Sequence, residues 1–140
     1  MIMDVVPMVM RRIRMEMRGN RMPGLTVPQL RSLLFIYRHE GASLSQVAEH
    51  VGLSLPSMSK TIDALVTRKL VTRRVLPRDR RYVRLGLSPR GRETLEGARK
   101  ETGERLGEVL AVLKPKQRDT VIEALQLLRP LFAPQPDKAR

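Results

Sequence analysis

Between residues 5 and 18 apolar side chains recur three to four positions apart, at Val5, Met8, Val9, Ile13 and Met17, with basic residues between them. That spacing predicts an amphipathic helix, closed by Gly19 and Asn20, with a loop containing Gly and Pro over 19–25. Thr26 with Gln29 three positions on has the form of a capping box, so a second helix is predicted from there, its stripe Leu30, Leu33, Leu34 and Tyr37, ending at Gly41. The box repeats at Ser43 and Gln46 and predicts a short helix over 44–51, with Leu44, Val47, Ala48 and Val51 inward and Gly52 as its stop. Ser54 is then an N-cap, Pro56 sits in a first turn, and Met58, Ile62, Leu65 and Val66 form the buried stripe of a fourth helix. Two helices joined by so few residues cross steeply. Ala48 allows their close approach and Gly52 supplies the turn, which are the requirements of a helix-turn-helix.

After Leu70 the period falls from 3.6 to 2: Val71, Arg73 and Val75 alternate with Thr72 and Arg74, a charged turn covers 77–81, and 82–87 resumes a strand. Ser88 and Pro89 then read as N-cap and first residue of a helix running to about Leu113, and Pro115 opens a last one bearing Val121, Ile122, Leu125, Leu128, Leu131 and Phe132. The predicted fold class is therefore mainly α (α+β): a winged helix-turn-helix domain with a two-stranded wing, flanked by N- and C-terminal dimerisation helices. Its parts are an N-terminal dimerisation helix and loop over 1–25, the winged domain over 26–88, C-terminal dimerisation helices over 89–133 and a tail over 134–140. The terminal helices are too apolar to stand alone. A homodimer would bury Val9, Ile13, Leu106, Val109, Leu113, Val121, Leu125, Leu128 and Phe132 and set two recognition helices about one DNA turn apart. Packing of these helices on their own winged domain is the alternative.

Composition narrows the function. A chain of 140 residues has the size of a single compact domain, and its lack of cysteine excludes disulfides, thiolate metal sites and thiol redox sensing. Twenty-seven Lys and Arg against fourteen Asp and Glu give a net charge of +13, a field that suits a polyanion and favours nucleic acid, with a merely soluble basic surface or a membrane surface as the alternatives. Asp4 and Pro7 interrupt the apolar start, so neither a signal peptide nor a membrane span is expected, and the expected location is the cytoplasm. The methionines, most of them before residue 18, read as gap-filling core residues. No enzyme motif is present: there is no phosphate loop, no nucleophile elbow and no H-E-x-x-H, and His39 and His50 lack partners at ligand spacing, so no metal and no cofactor are expected. Glu93, Glu96, Glu101, Glu104 and Glu108 recur among arginines as a solvated helix face.

From residue 26 to residue 91 the sequence resembles the MarR family of bacterial transcriptional regulators. The stretch LSQVAEHVGL at 44–53 is similar to that family's first helix-turn-helix segment, and PSMSKTIDALVTRKLV at 56–71 to its recognition helix running into the wing. Asp79-Arg80-Arg81 followed by Leu85-Gly86-Leu87-Ser88-Pro89-Arg90-Gly91 is similar to the family's D-x-R wing and L-x-L-[ST]-x-x-G exit.

The residues also carry the reading without the resemblance. On a helix turning about 100° per residue, burial of Met58, Ile62 and Leu65 points Pro56, Lys60, Asp63 and Thr67 outward, with Ser57 and Ser59 beside them. The candidate DNA-binding residues are Ser54, Pro56, Ser57, Ser59, Lys60 and Thr61 on this helix, where hydroxyls address phosphates or base edges and Lys60 guanine or phosphate. Arg78, Asp79, Arg80 and Arg81 form the second group, a basic tip suited to a narrow minor groove, with Asp79 holding the turn. A solvated helix face and a merely soluble hairpin are the bland alternatives.

The resemblance implies that Arg81 is the inserted residue, that the dimer binds a pseudo-palindromic site, and that a small aromatic or anionic effector binds between the dimer helices and the winged domain. Arg12, Tyr37, Arg38 and His39 fall on segments that could line that cleft, with ordinary surface or core roles as the alternative. Lys114 departs from the family where a Ser or Thr cap would precede Pro115. The functional expectation is a ligand-responsive repressor; a basic module that coats nucleic acid without sequence choice is the alternative.

Overall fold

Both capping boxes form, and they set the starts of the two helices that support the site. The Thr26 hydroxyl accepts from the Gln29 N–H at 3.3 Å while the Gln29 amide oxygen accepts from the Thr26 N–H at 3.0 Å. Ser43 and Gln46 repeat this at 3.2 and 2.9 Å. The structure, a computed structural model, describes residues 1–19 and 22–132, with the side chains of 79–81 excepted. Asn20, the tail beyond Phe132, and the side chains of Asp79, Arg80 and Arg81 lie outside the described residues. The helices are α1 (Ile2–Arg18), α2 (Val27–Arg38), α3 (Leu44–Val51), α4 (Leu55–Thr67), α5 (Pro89–Leu110) and α6 (Pro115–Phe132), with β1 (Val71–Leu76) and β2 (Asp79–Leu87) between α4 and α5. They divide into two compact units, Met1–Gly103 and the residues from Glu104 on.

In the first unit the helices pack largely through the predicted stripes, except that on α2 Ile36 is buried while Leu34 and Tyr37 are only half-buried. Leu30, Leu33 and Ile36 of α2, Val47 and Ala48 of α3, and Met58, Ile62 and Leu65 of α4 are buried together with Val71, Leu85 and Leu87 of the strands and Leu95 and Ala98 of α5. Met22 and Leu25, in the stretch read as a plain loop, also enter this core, as does Met17. Val66 and Leu44 are only half-buried at its edge. Ser32 is buried on α2 but satisfied, its hydroxyl donating to the Pro28 carbonyl at 2.8 Å.

Helices α2 and α5 end at Arg38 and Leu110, short of the expected Gly41 and Leu113, and two further elements differ from expectation. Helix α1 begins at Ile2, ahead of residue 5, because Asp4 in the first turn complements the helix dipole although it breaks the apolar period. Pro7 lies inside this helix and removes the N–H that would meet the Met3 carbonyl. The wing turn is shorter than the five residues predicted: only Pro77 and Arg78 separate the strands, and 79–81 already belong to β2. The antiparallel register runs from Val71 opposite Leu87 to Val75 opposite Val83, then shifts so that Leu76 faces Asp79. The extra length on β2 forms a bulge, a device that bends and twists a hairpin end. A bridge between Ala42 and Leu85, in which the Leu85 N–H donates to the Ala42 carbonyl and the Leu85 carbonyl accepts from the Gly41 N–H, both at 2.9 Å, adds a short third edge at the root.

The root itself is tightly built. Lys69 adopts a left-handed φ of 59° just before β1. The Ser88 hydroxyl donates to the Lys69 carbonyl at 2.6 Å and accepts from the Gly91 N–H at 2.8 Å, while the Ser88 N–H donates to the Leu70 carbonyl at 3.0 Å. Gly91 is buried against that same Leu70 carbonyl, where a methyl group would collide with backbone.

In the second unit α6 starts without a Ser or Thr cap. The Gln117 side chain instead accepts from the Lys114 N–H at 2.9 Å. A mostly apolar hollow of about 250 Å³ lies among Gly107, Leu110, Leu113, Arg118, Val121, Ile122 and Leu125. No residue of α6 is buried, and no helix among the described residues is long and apolar enough to cross a membrane.

Replacing Gly91 by Ala is expected to lower unfolding stability by about 1–3 kcal/mol, the usual magnitude for overpacking a tight site. Urea unfolding with an unchanged midpoint would show that the wing root has slack.

Candidate nucleic-acid interface

Helix α4 is anchored on one side and open on the other. Met58, Ile62 and Leu65 have no accessible surface, whereas Pro56, Ser57, Lys60, Asp63 and Thr67 are exposed and Ser59 and Thr61 half-buried. The Ser54 hydroxyl caps the helix by accepting from the Ser57 N–H at 3.4 Å and donates to the Ser57 hydroxyl at 3.0 Å. Thr61 donates its hydroxyl to the Ser57 carbonyl at 3.0 Å, which leaves its oxygen free only as an acceptor. Lys60 has no partner among the described residues, so its ammonium is available to an anion. The sequence candidates on α4 thus come together along about two turns of a single helix and its N-cap.

The crossing with α3 is held from both sides. Gly52 takes a left-handed φ of 80° and its N–H donates to the Ala48 carbonyl at 2.8 Å. Arg31, on α2, reaches the last carbonyls of α3, donating to His50 and Val51 at 3.0 Å each. Terminal helix carbonyls lack internal partners, and a guanidinium fork satisfies two at once. Sequence reasoning missed Arg31, which has no local signal because its targets lie about twenty residues away.

The wing is tied to the outward flank of α4 by an ion pair between Arg73 of β1 and Asp63, at 2.6 Å. Both side chains are substantially exposed, so the pair contributes no more than about 1 kcal/mol, and its effect is directional. Asp63 was placed on the outer flank by periodicity, but its partner across the wing was not foreseen. Arg78 stands exposed at the turn; Asp79, Arg80 and Arg81, the rest of that candidate group, have side chains outside the described residues.

Arg12, Tyr37 and His39 enter separate local networks. Arg12 pairs with Glu16 at 2.8 Å on α1. The Tyr37 ring carries the guanidinium groups of Arg92 and Arg99 at 5.3 and 5.2 Å from its centre, and its hydroxyl lies 3.4 Å from a Glu96 carboxylate oxygen. The His39 ring packs on Phe35 at 4.5 Å, and Phe35 also stacks on His50 at 4.6 Å. Arg38 is exposed. An open hollow along α5 is lined by Pro89, Arg92, Glu93, Glu96, Gly97 and Lys100, with none of these four in its wall. Among the described residues no three His, Cys, Asp or Glu side chains are grouped to hold a metal ion.

A steep helix pair with one open polar flank, followed by a hairpin tied to that flank, defines a winged helix-turn-helix protein. The family model described as MarR family matches residues 24–81, which span α2, both helices of the helix-turn-helix and the wing as far as the start of β2. Over that winged segment the chain is similar to the MarR family, in line with its motifs. It is 26% identical over 106 residues to YdgJ of Bacillus subtilis, named as an uncharacterized HTH-type transcriptional regulator, covering 76% of this chain and 65% of that one. The chain therefore spans just under two thirds of that relative's length. Among solved structures it is similar to RV1404 of Mycobacterium tuberculosis, with a TM-score of 0.82 and 20% identity over 99% of this chain and 92% of that one. It is also similar to a MepR mutant of Staphylococcus aureus bound to an oligodeoxyribonucleotide, with a TM-score of 0.66 and 20% identity over 94% and 98% of the two chains. At these identities the solved structures establish the fold.

The imidazole of His50 is held below its ordinary value of 6.5, first by partial burial and then by the positive fields of Arg31, Arg38 and His39. A lowered value means that the folded state binds the proton less readily than the unfolded chain. This contribution to stability is therefore complete above 6.5 and is lost as pH falls from there through the folded value. Thermal unfolding between pH 7.5 and pH 5.5 is expected to shift downward more in the wild type than in His50→Gln. Equal shifts in the two would assign the acid sensitivity to other groups.

Proposed function

We propose that this chain is a sequence-specific, DNA-binding transcriptional regulator that acts as a homodimer on a pseudo-palindromic operator and represses by blocking promoter access. The observation that carries the reading is the division of α4 into a fully buried apolar side and an exposed flank of small hydroxyls and one unpaired lysine. A helix of this kind fits the major groove, where Ser54, Ser57, Ser59 and Thr61 address phosphates or base edges and Lys60 a guanine or phosphate. Pro56 shapes the first turn. At the wing, Arg78, Arg80 and Arg81 enter the adjacent minor groove, Arg81 foremost, and Asp79 orients the turn. The net charge of +13 and the DNA-bound MepR relative support double-stranded DNA as the partner.

The dimer reading is supported by apolar side chains left open in both units. Leu125 is 61% and Phe132 76% exposed on α6, and Val9 is 47% exposed on α1. Covering such groups with a second copy yields about 25 cal/mol for each Å² removed from water. A small aromatic or anionic effector would act by preferring one spacing of the two recognition helices, which requires different affinities for the two arrangements. Tyr37, with Arg92 and Arg99 at its ring, supports an aromatic anion as that effector, with Arg12, Arg38 and His39 as the further positions.

The charge equally favours a second reading, a basic module that coats nucleic acid without sequence choice, and competition separates the two. One palindromic duplex is expected to outcompete bulk DNA by about 10³ or more at physiological salt; equal competition would leave the second reading standing. Arg81→Ala is expected to weaken binding and to reduce the salt slope by about one unit, and an unchanged slope would take the tip off the DNA. Leu125→Asp is expected to give monomers or insoluble protein in sedimentation, and a well-behaved dimer would refute this interface.

A further inference from the structure

We propose that the outer face of the wing holds a second phosphate-binding site, built on the cross-strand pair Arg74 and Arg84 and separate from both α4 and the turn. The two arginines are direct partners in the register of β1 and β2, so their side chains leave the sheet on the same face. Side chains so placed start about 5 Å apart, and like charges at that separation destabilise a hairpin.

The surrounding groups do not relieve this repulsion. Arg84 donates to the Gly41 carbonyl at 3.1 Å, a neutral acceptor that leaves its charge uncompensated. Arg74 is exposed and has no partner among the described residues. The neighbouring Arg73 points to the opposite face, where it takes Asp63. Toward the root, the Glu40 carboxylate lies over Gly86 but is engaged by Arg92 at 3.4 Å. Toward the tip, two residues along β2 from Arg84, Tyr82 is 59% exposed and adds a hydroxyl donor.

Two guanidinium forks on one strand face, with an exposed phenol nearby on β2, suit a tetrahedral oxyanion, since guanidinium groups bind phosphate oxygens in pairs. A free phosphate and a nucleic-acid backbone share that chemistry. The backbone is the occupant assigned here, and this rests on the DNA reading above: the site lies on a wing whose turn is directed at the same duplex. A contact to phosphate positions the protein without reading sequence.

The repulsion gives the test a signature that a purely structural residue would not give. Arg74→Glu turns the cross-strand repulsion into attraction, so its melting temperature is expected to rise by a few degrees. Its affinity for duplex DNA is expected to fall about tenfold, its salt slope to drop by about one unit or more, and its preference among operator variants to stay the same. Arg74→Gln should show the same two trends at smaller size and guards against a local misfolding of the charge reversal. Wild-type affinity and slope in both variants, or a melting temperature that falls in both, would overturn the site. If inorganic phosphate stabilises the wild type but not Arg74→Glu, while DNA binding is equal in the two, the occupant is the free anion and the nucleic-acid assignment fails. If the wild type itself binds no duplex, the DNA reading fails and takes this site with it; a wild type that binds with a slope insensitive to residue 74 sinks this site alone.

Discussion

The one-sided burial of α4 is the constraint on which the rest of the architecture depends. Met58, Ile62 and Leu65 are withdrawn completely from water, and side chains of this size contribute about 1.5–3 kcal/mol each when buried. That attachment is almost wholly apolar, so the opposite flank is left to hydroxyls, a lysine and Asp63. A helix rotated by half a turn about its axis would bury Lys60 and Asp63 in the core, where charges without partners are very unfavourable. The rotation that presents the polar flank is therefore imposed by hydrophobic packing, and the neighbouring contacts of Arg31 and Gly52 only fix the angle.

The wing adds direction to this platform through short-range geometry. Its base is closed by Ser88, which bonds both Lys69 and Gly91, and by the close approach of Gly91 to the Leu70 carbonyl. Its flank is joined to α4 by Asp63 and Arg73. A hairpin of two short strands is marginal by itself, so these contacts and the bridge from Ala42 to Leu85 are what make it a defined projection.

What was legible in the sequence follows from distance along the chain. Capping boxes at Thr26 and Ser43, the left-handed Gly52, the Ser54 cap and the change of period after Leu70 are all encoded within four residues, and each formed as predicted. Contacts between residues ten to sixty positions apart left no local mark. Arg31 on the end of α3, Asp63 with Arg73, and Tyr37 with Arg92 and Arg99 emerge only once the helices are packed. The wing turn was misjudged for a related reason: its charged residues read as loop, yet a bulge lets β2 accommodate them within the strand. The candidate residues of α4 were legible because they are the complement of a buried stripe, whereas Arg12, Tyr37, Arg38 and His39 were placed by helix order alone; the first, second and last sit in separate networks and Arg38 is exposed.

The electrostatics of the first unit point the same way as its packing. Several acids are matched locally: Glu16 with Arg12, Asp63 with Arg73, Glu40 with Arg92. Lys60, Arg74 and Arg78 are among the cations left over, and they stand on α4, on β1 and at the wing turn. Uncompensated charge lowers the stability of a compact state by self-repulsion, and it also raises the rate at which an oppositely charged polymer is captured. A chain selected for stability alone would answer Arg74 with a carboxylate across the strand, at position 84. The arginine found there keeps the strain in the free protein and makes it available for release when phosphate is bound.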